Sequence, residues 1–466
     1  MLCYHGDISS ILILKMDEKQ TTDNLLEAAK TVLELNDRGI YTAPANSHLY
    51  PHQWLWDSCF VAIGRRHYDV DRAKTEILSL LAGQWANGMM PNMILSGGRH
   101  DRDANIWRSW LNPNAPDDLS TSGITQPPIV AEAVVRIGEK LTKPERRSWY
   151  LAVFPALLAY HQWLYTERDP HGEGLVLLVH PWETGLDNTP PWVSELEDHQ
   201  MPLWIQAVGK LKLSPIINFF RRDTKLIPAE QRMRTIDALA LYSTQRRLRR
   251  KNYDIKRILS HSLFAIEDVS FNAIFIRANQ HLVQIAKTIR KELPEDLLTR
   301  MKKTEQTFEG LWDPYTSQYY SREFVSHRLL KVPSIGTLMP LYAGSVTKER
   351  AKQLVKLLED EHQFGAHYPV PSAPLNSSYF NPHCYWQGPS WVNTNWLIID
   401  GLRRYGFEDH AAALTESTIE MVKQSGFYEY FSPLDGSPSG AENFSWTAAL
   451  TIDLLAHLPD QKPDQK

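Results

Sequence analysis

Helical periodicity along nearly the whole of this 466-residue chain limits its fold more than any other feature. Apolar residues recur at intervals of three and four, as they do between Leu25 and Leu35, and Gly39 follows where that pattern ends. This spacing gives a helix one apolar face, and glycine is common just beyond a helix C-terminus. Alternation typical of strands is confined to short pieces near 174–180 and 427–431. The sequence therefore predicts an all-α protein with about a dozen helices.

Further stretches repeat the helical pattern, and proline at positions 127 and 128 suits the first turn of one of these helices. The predicted helices cover 77–85, 127–137, 144–168, 229–248, 270–293, 296–311, 347–360, 389–405, 409–425 and 446–457. The segments between helices are dense in Trp, Asp, Asn, Gln, Gly and Pro, and the densest are 41–58, 88–126, 180–192, 366–396 and 426–446. Binding groups concentrate on loops that a rigid scaffold holds, so these segments are where a site is expected.

One domain is the simplest organisation, because neither a low-complexity linker nor a sharp change of composition interrupts the chain. We expect an N-terminal extension over 1–19, the domain over 20–458 and a polar tail over 459–466. The formal net charge of −4 gives no electrostatic reason to expect a nucleic-acid partner. The basic stretch 221–257 is expected to be a solvated helix face. The absence of an apolar run of about 18 residues predicts no membrane span.

The cysteines are few and far apart. Cys3, Cys59 and Cys384 form neither a disulfide framework nor a zinc pattern, which favours a reducing, cytoplasmic location. The first residues lack the basic start and cleavage site of a signal peptide, and they leave open whether Met1 or Met16 begins the protein. Metal-ligand spacing and a phosphate-binding loop are also missing, so the sequence predicts no metal and no cofactor.

Aromatic residues are abundant in the polar segments, and the chain contains 15 Trp and 19 Tyr. Their flat apolar faces and polar edges complement sugar rings, which have apolar C–H faces and a hydroxyl rim. Large aromatic side chains also fill cores, and composition alone leaves these two explanations equally supported. Cleaving a glycosidic bond usually requires two carboxyl groups, which directs attention to Asp and Glu within the aromatic segments.

The first aromatic cluster runs from Tyr50 to Ser58 and places Trp54 and Trp56 just before Asp57. We favour a sugar-binding role, in which Asp57 accepts hydrogen bonds while a tryptophan stacks on the ring. The alternative is that Asp57 caps a helix and the tryptophans belong to the core.

The second cluster runs from His180 to Pro190 and contains Asp187 between glycine and proline. Burial against aromatic rings would raise the pKa of such a carboxyl and suit it to act as a general acid. An Asx-type turn at Asp187 and Asn188 is the alternative, and this loop alone supports both equally.

Two clusters lie nearer the C-terminus. The third contains Trp386, Trp391 and Trp396, of which we assign the first two to a pocket and the last to the core. The fourth surrounds Glu429 with aromatic residues and offers Glu442 as a rival carboxylate. The alternative for Glu429 is a solvated charge on a short strand.

Together the four clusters resemble glycoside hydrolase family 63 and its relatives in the trehalase clan, whose compact bacterial branch includes mannosylglycerate and glucosylglycerate hydrolases. The likeness extends from about residue 20 to 458. It implies an (α/α)6 barrel, the six-hairpin glycosidase fold, with the site in its mouth and inversion of configuration. The family's acid motif matches Glu183-Thr184-Gly185-Leu186-Asp187, which implies that Asp187 is the acid. The family's base motif matches Glu429-Tyr430-Phe431-Ser432-Pro433, which implies Glu429 as the base in preference to Glu442.

The resemblance also implies a set of substrate-binding residues: Tyr50, Trp54, Trp56, Asp57, Gln126, Gly185, Tyr385, Trp386, Trp391 and Asn395. Trp446 is expected to pack behind the base. Relatives that cleave glycerate glycosides must also bind a carboxylate on the leaving group, and arginine does this well. Of Arg221, Arg222, Arg232 and Arg234 we select Arg232, with a solvated helix charge as its alternative.

The predicted reaction is therefore hydrolysis of an α-linked glucosyl or mannosyl residue by single displacement. Inversion requires the two carboxyl groups to lie ~6.5–9.5 Å apart, whereas retention requires ~5 Å. The main alternative is a sugar-binding protein on the same fold that has lost catalysis. A helical-repeat interaction protein, and a lyase or an epimerase on this fold, are further alternatives.

Overall fold

The structure is a computed structural model, and it describes residues 22–45, 49–199, 202–212, 214–221, 223–260, 262 and 264–458. The predicted N-terminal extension 1–19, the predicted tail 459–466 and Arg222 lie outside the described residues. Among the described helices, none combines the length and the apolar character that crossing a membrane requires.

The described residues form nineteen α-helices and four small antiparallel strand pairs. The helices are α1 Thr22–Leu35, α2 Leu55–Arg65, α3 Val70–Ala82, α4 Arg102–Trp107, α5 Val130–Glu139, α6 Lys143–Glu167, α7 Pro190–His199, α8 Leu203–Lys210, α9 Ser214–Phe220, α10 Asp223–Leu226, α11 Thr235–Arg250, α12 Ile255–Leu259, α13 Val269–Ile289, α14 Glu295–Phe308, α15 Pro340–Ala343, α16 Lys348–Glu359, α17 Val392–Arg404, α18 Glu408–Ser425 and α19 Ser445–Leu455. The strands are β1 Gln53–Trp54, β2 Met93–Ile94, β3 Ile266–Glu267, β4 Trp312–Asp313, β5 Gln318–Tyr319, β6 Arg322–Glu323, β7 Tyr430–Phe431 and β8 Pro438–Ser439. β1 pairs with β2, β3 with β6, β4 with β5 and β7 with β8.

Six of the described helices form a closed inner ring, in the order α2, α5, α13, α15, α17 and α19. Each of them packs against the next, and α19 returns to pack against α2. The outer layer consists of α1, α3, α6, α14, α16 and α18, each of which packs on one or two inner helices. Outer and inner helices alternate along the chain, so the architecture is an (α/α)6 barrel, and the predicted fold class is confirmed.

The inner helices are largely buried because both of their faces are covered. All eleven residues of α2 are buried, and so are all four of α15. Glycine allows two of the ring contacts, because a methyl group at Gly64 of α2 would collide with the main chain of Ala449 in α19. Gly401 of α17 approaches the main chain of Leu341 in α15 in the same way.

The long connection between α6 and α13 positions the candidate site. It carries α7 to α12, and α11 packs on α4, α7, α8 and α9. Other loops that carry predicted site residues lead into the N-terminal ends of inner helices, as at Gln126 before α5 and Trp391 before α17. The loops therefore converge on one end of the barrel.

The structure corrects several sequence-based assignments. The sequence predicts a loop over 41–58, but α2 begins within it at Leu55. α3 ends at Ala82 and not near residue 85. The expected strand near 174–180 is reduced to one bridge between Leu178 and Ile266. The error at α2 has a local cause, since its first turn holds Trp56 and Asp57 at the end of a segment rich in Tyr, Pro, Asn and Trp, which resembles a loop in sequence.

Candidate active site

A cavity of about 350 Å³ opens at the converging loops. All the predicted site residues except Trp391 and Asn395 line it. The rival carboxylate Glu442 is exposed, accepts a hydrogen bond from Tyr428 Oη at 2.9 Å, and does not line the cavity. A concave site with aromatic walls and a few converging polar groups is typical of small-molecule binding.

Asp187 is presented by a tight turn that only glycine fits. Gly185 has a φ of +73°, in the left-handed region. A Cβ atom at Gly185 would lie 2.7 Å from the ring of Trp56. The turn can therefore lie flat against Trp56 while the chain reverses direction toward Asp187.

The acidic residue at the start of the same motif anchors this turn from behind. Glu183 is fully buried and accepts two hydrogen bonds from Arg168, at 2.9 and 2.6 Å. The backbone amides of Val179 and Thr125 also donate to this carboxylate. One carboxylate thus joins the end of α6, the acid turn and the loop that carries Gln126. Its role is structural, because it does not line the cavity.

Asp187 lies partly open to the cavity but deep within the protein. Tyr385 Oη donates to its Oδ2 atom at 3.3 Å. Burial raises the pKa of Asp187 to about 7, with a further increase from nearby Glu429, while Arg232 and the Tyr385 hydrogen bond oppose the rise. A carboxyl with this pKa is partly protonated at neutral pH, as a proton donor must be.

Glu429 directly precedes β7 and is buried on the cavity wall. It accepts hydrogen bonds from Tyr50 Oη at 2.9 Å and from the amide of Ala441 at 3.0 Å. Arg232 Nη1 lies 3.3 Å from both carboxylate oxygens. These donors fix the orientation of the Glu429 carboxyl group on the cavity wall. The alternative of a solvated charge on a short strand is wrong, because the side chain is 2% exposed.

Arg232 connects the two carboxyl groups. In addition to its ion pair with Glu429, it donates to Tyr50 Oη at 2.9 Å. Its guanidinium lies 4.3 Å from the ring centroid of Tyr385, the residue that donates to Asp187. The alternative of a solvated helix charge is wrong for Arg232, because its side chain is 7% exposed.

Asp57 is a third carboxyl group on the cavity wall, in the first turn of α2. Burial, and then the charges of Glu429 and Asp187, raise the pKa of Asp57 well above its usual range. A neutral carboxyl can both donate and accept hydrogen bonds.

Tryptophan rings form the wall beside these carboxyl groups. Trp386 stacks on Trp391 with ring centroids 3.7 Å apart, and Trp56 meets Trp446 edge to face at 5.4 Å. Trp56, Trp386 and Trp446 line the cavity, whereas Trp391 lies behind Trp386. The prediction that Trp391 lines the pocket is therefore wrong, because Trp391 stacks on Trp386 and does not itself reach the cavity. Its Nε1 atom donates to the carbonyl oxygen of Tyr385 at 3.1 Å, so it supports two residues that do line the cavity.

The prediction that Asn395 lines the pocket is wrong. Its side chain accepts from the amide of Val370 at 3.0 Å and donates to the carbonyl oxygen of Pro369 at 2.8 Å. It also donates to Thr418 of α18 at 3.0 Å. A fully buried amide with these partners joins α17, α18 and the segment at Pro369, and it leaves nothing for a substrate.

Sequence reasoning missed Asn188, which joins the acid turn to the Trp386 loop. Asn188 Oδ1 accepts from the amide of Trp386 at 2.9 Å, and its carbonyl oxygen accepts from Gln387 at 3.1 Å. The suspected Asx turn pointed to polar side-chain bonding here, but the partner lies 198 residues away. The sequence analysis also missed four lining residues that stand outside the aromatic clusters: Asn92, Arg102, Asp223 and Tyr242.

Several buried polar atoms on the cavity wall have no hydrogen-bond partner within the described part of the chain. They are Trp54 Nε1, Asn92 Oδ1, Gln126 Oε1, Arg232 Nε and Trp446 Nε1. A buried polar atom without a partner costs about 1–3 kcal/mol, so a ligand rich in hydroxyl groups would recover several such contributions.

Within the part of the chain that the structure describes, two groups of side chains have the composition of a metal site. One contains His67, Asp453 and His457, and the other contains His52, Asp101 and Asp103. Asp453 is already paired with Arg66 at 2.6 Å, and His52 bonds Asp103 at 3.0 Å. The first group faces an arginine, which disfavours a cation, and only the second reaches the cavity, through His52 and Asp103.

Comparison with known proteins agrees with this geometry. A family model described as the mannosylglycerate hydrolase MGH1-like glycoside hydrolase domain matches residues 50–447. The mannosylglycerate hydrolase of Rubrobacter radiotolerans is 36% identical over 440 residues, which cover 93% of this chain and 97% of that protein. The glucosylglycerate hydrolase of Mycolicibacterium hassiacum is 31% identical over 461 residues, which cover 94% and 99%.

A solved structure is similar over the same length. It is the GH63 mannosylglycerate hydrolase from Thermus thermophilus in complex with Tris and D-glycerate. It matches with a TM-score of 0.80 and 37% identity, over 92% of this chain and 99% of that chain. The family resemblance inferred from the four clusters is confirmed. This chain belongs to the MGH1-like glycoside hydrolases of family 63 and is an enzyme that hydrolyses glycosidic bonds.

Proposed function

We propose that this enzyme hydrolyses an α-linked glucosyl or mannosyl glycerate glycoside with inversion of configuration. The observation that carries the proposal is the contrast between two carboxyl groups on one cavity. Burial raises the pKa of Asp187 to about 7, while Glu429 is bound by an arginine, a tyrosine hydroxyl and a backbone amide. Carboxyl groups in such different surroundings are suited to opposite steps of proton transfer.

In this mechanism Asp187 donates its proton to the glycosidic oxygen as the C–O bond breaks. Glu429 removes a proton from a water molecule that attacks the anomeric carbon from the opposite face. Tyr50, Arg232 and the amide of Ala441 fix the orientation of Glu429, so its oxygens are already placed for that water. Fixed orientation lowers the barrier because no rearrangement accompanies the reaction.

The sugar is proposed to lie against Trp56 and Trp386 with its hydroxyl groups near Asp57 and Gln126. The neutral form of Asp57 could donate to one hydroxyl and accept from another. Gln126 Oε1, which is buried without a partner in the described chain, would accept from a hydroxyl. Trp54 and Trp446 offer indole N–H groups in the same wall.

The glycerate part of the proposal rests on the names of the relatives and on Arg232. Relatives at 36% and 31% identity are named for mannosylglycerate and for glucosylglycerate hydrolysis. Arg232 lines the cavity, and its buried Nε atom makes no hydrogen bond to a described residue, although Asp223 Oδ2 lies 3.8 Å from it. We propose that its guanidinium also contacts the leaving group. A cytoplasmic location, which the cysteine pattern favours, stays a prediction.

The test is an NMR assay that distinguishes the anomers of the first sugar released. The panel contains glucosylglycerate, mannosylglycerate, trehalose, kojibiose, nigerose and short α-glucans. We expect β-sugar to appear first from one of the glycerate glycosides. Asp187→Asn and Glu429→Gln should each lower kcat about 100-fold or more. Glu442→Gln is the matched control, because Glu442 is exposed and away from the cavity, and it should retain full activity. Release of α-sugar first would contradict inversion.

A further inference from the structure

Among the described residues, three arginines line the cavity, and two of them already have carboxylate partners. Arg221 forms two hydrogen bonds with Asp223, at 2.6 and 3.1 Å. Arg232 lies 3.3 Å from both oxygens of Glu429. The third is Arg102, and in the described part of the chain its guanidinium has neither a hydrogen bond nor an ion pair.

Arg102 is the first residue of α4, a short helix that the protein holds firmly at the cavity rim. The side chain of Asp101 accepts from the amide of Asp103 at 2.8 Å and caps the helix. Asp103 is bonded to the buried ring of His52 at 3.0 Å. At the other end, Gln245 of α11 donates to the carbonyl oxygen of Ile106 at 3.0 Å. The backbone of Arg102 is thus fixed while its exposed side chain is free to meet a ligand.

α11 packs on α4, and residues of α11 and of the connection before it also line the cavity. Tyr242 of α11 lines the cavity, and its ring meets Trp182 edge to face at 5.6 Å. Burial raises the pKa of Tyr242, with smaller increases from Asp103 and Asp223 and opposing effects from Arg102 and Arg221. Arg102 therefore lies close enough to Tyr242 for its charge to act on the phenol, and both side chains line the cavity.

We infer that Arg102 is a specificity-determining residue that binds the negatively charged end of the leaving group at the cavity rim. The inference rests on the proposed function and deepens it, because it assigns the selection of an anionic leaving group to a residue outside the catalytic pair. Of the cavity arginines that the structure describes, Arg221 and Arg232 are paired with Asp223 and Glu429, so Arg102 is the one whose positive charge has no ion-pair partner. Arginine binds a carboxylate with two parallel hydrogen bonds, and a partly exposed pair of this kind is sensitive to salt.

The test compares two glycosides that differ only in charge, 2-O-α-glucosylglycerate and 2-O-α-glucosylglycerol, or the mannosyl pair if the NMR panel identifies mannose. Steady-state kinetics would be measured for the wild type, Arg102→Gln, Arg102→Lys and Arg99→Gln. Arg99 is the matched control, since it is an exposed neighbour outside the cavity lining that donates to the carbonyl oxygen of Asp117 at 3.1 Å.

We expect Arg102→Gln to raise KM for the glycerate glycoside about tenfold, with kcat nearly unchanged, because one charge-assisted contact is lost. The glycerol glycoside should change less than about twofold, Arg102→Lys should recover part of the loss, and Arg99→Gln should behave as the wild type. The wild-type KM for the charged substrate should also rise with salt.

Equal effects of Arg102→Gln on both substrates, or a fall in kcat alone, would overturn the inference. If the wild type hydrolyses both glycosides with the same efficiency, the inference fails while glycoside hydrolysis stands. If it hydrolyses neither glycoside, the proposed function falls and the inference falls with it.

Discussion

At the scale of single residues, the chemistry depends on the different surroundings that one cavity gives to the carboxyl groups of Asp187 and Glu429. Asp187 accepts a hydrogen bond from Tyr385, and burial is the chief cause of its raised pKa. Glu429 receives hydrogen bonds from Tyr50, Arg232 and a backbone amide. The number and charge of the donors, more than the residue type, separate the proposed acid from the proposed base.

The first prediction concerns pH. A general acid must be protonated, so kcat/KM should fall as the pH rises through about 7, the pKa of Asp187. The Tyr385 hydroxyl stabilises the carboxylate, so Tyr385→Phe should raise this pKa further and move the alkaline limb to higher pH. The pH profile of kcat/KM would measure the shift. Tyr428→Phe removes a hydroxyl from exposed Glu442 and should leave the limb in place, whereas a shift of the Tyr385→Phe limb to lower pH would contradict the account.

The second prediction concerns the acid turn. Gly185→Ala forces a side chain into a left-handed backbone and against Trp56, and it should lower the free energy of unfolding by about 2–4 kcal/mol. Displacement of Asp187 by about 1 Å should also lower kcat about 100-fold. Thermal unfolding and steady-state kinetics would measure both effects. Gly172→Ala separates backbone strain from contact with Trp56, because Gly172 has a φ of +65° but open space around it. Equal losses in the two variants would mean that contact with Trp56 is unimportant.

At the scale of elements, the barrel depends on close approach between inner helices. Gly64→Ala places a methyl group against the main chain of Ala449, where neither α2 nor α19 has a flexible side chain to move aside. We expect this variant to lose about 1–3 kcal/mol of stability in denaturant unfolding. Gly310→Ala meets nothing within 4 Å and should change stability by less than about 0.5 kcal/mol. An unchanged Gly64→Ala protein would show that the two helices separate at little cost.

The same packing explains which elements the sequence could predict. Outer helices such as α16 and α18 have one apolar and one polar face, and their predicted bounds lie within one residue of those observed. α2 is buried on every side, and the sequence predicts a loop at its start because the residues that lead into it are rich in Tyr, Pro, Asn and Trp. Trp391 and Asn395 lie in the predicted segment, but their hydrogen bonds go to other protein groups and they do not line the cavity. A sequence motif cannot distinguish a residue that lines a cavity from one packed behind it.

At the scale of the whole molecule, the site is assembled from distant parts of the chain. Tyr50 and Glu429 are 379 residues apart in sequence, and Arg232 and Glu429 are 197 apart. Local patterns carry no information about such pairs, so the ion pair between Arg232 and Glu429 could not be predicted. The four aromatic clusters could be predicted from the sequence, because each lies within a few consecutive residues. Closure of the helical ring is what brings them to one cavity.

The most direct test of the central claim uses a substrate whose leaving group needs no acid. Fluoride departs without protonation, so Asp187→Asn should hydrolyse the α-glycosyl fluoride within about tenfold of the wild-type rate while losing about 100-fold or more on the glycerate glycoside. Glu429→Gln should fail on both substrates, because attack by water still requires the base. The reverse pattern, with Glu429→Gln active on the fluoride and Asp187→Asn inactive, would contradict the assignment of acid and base.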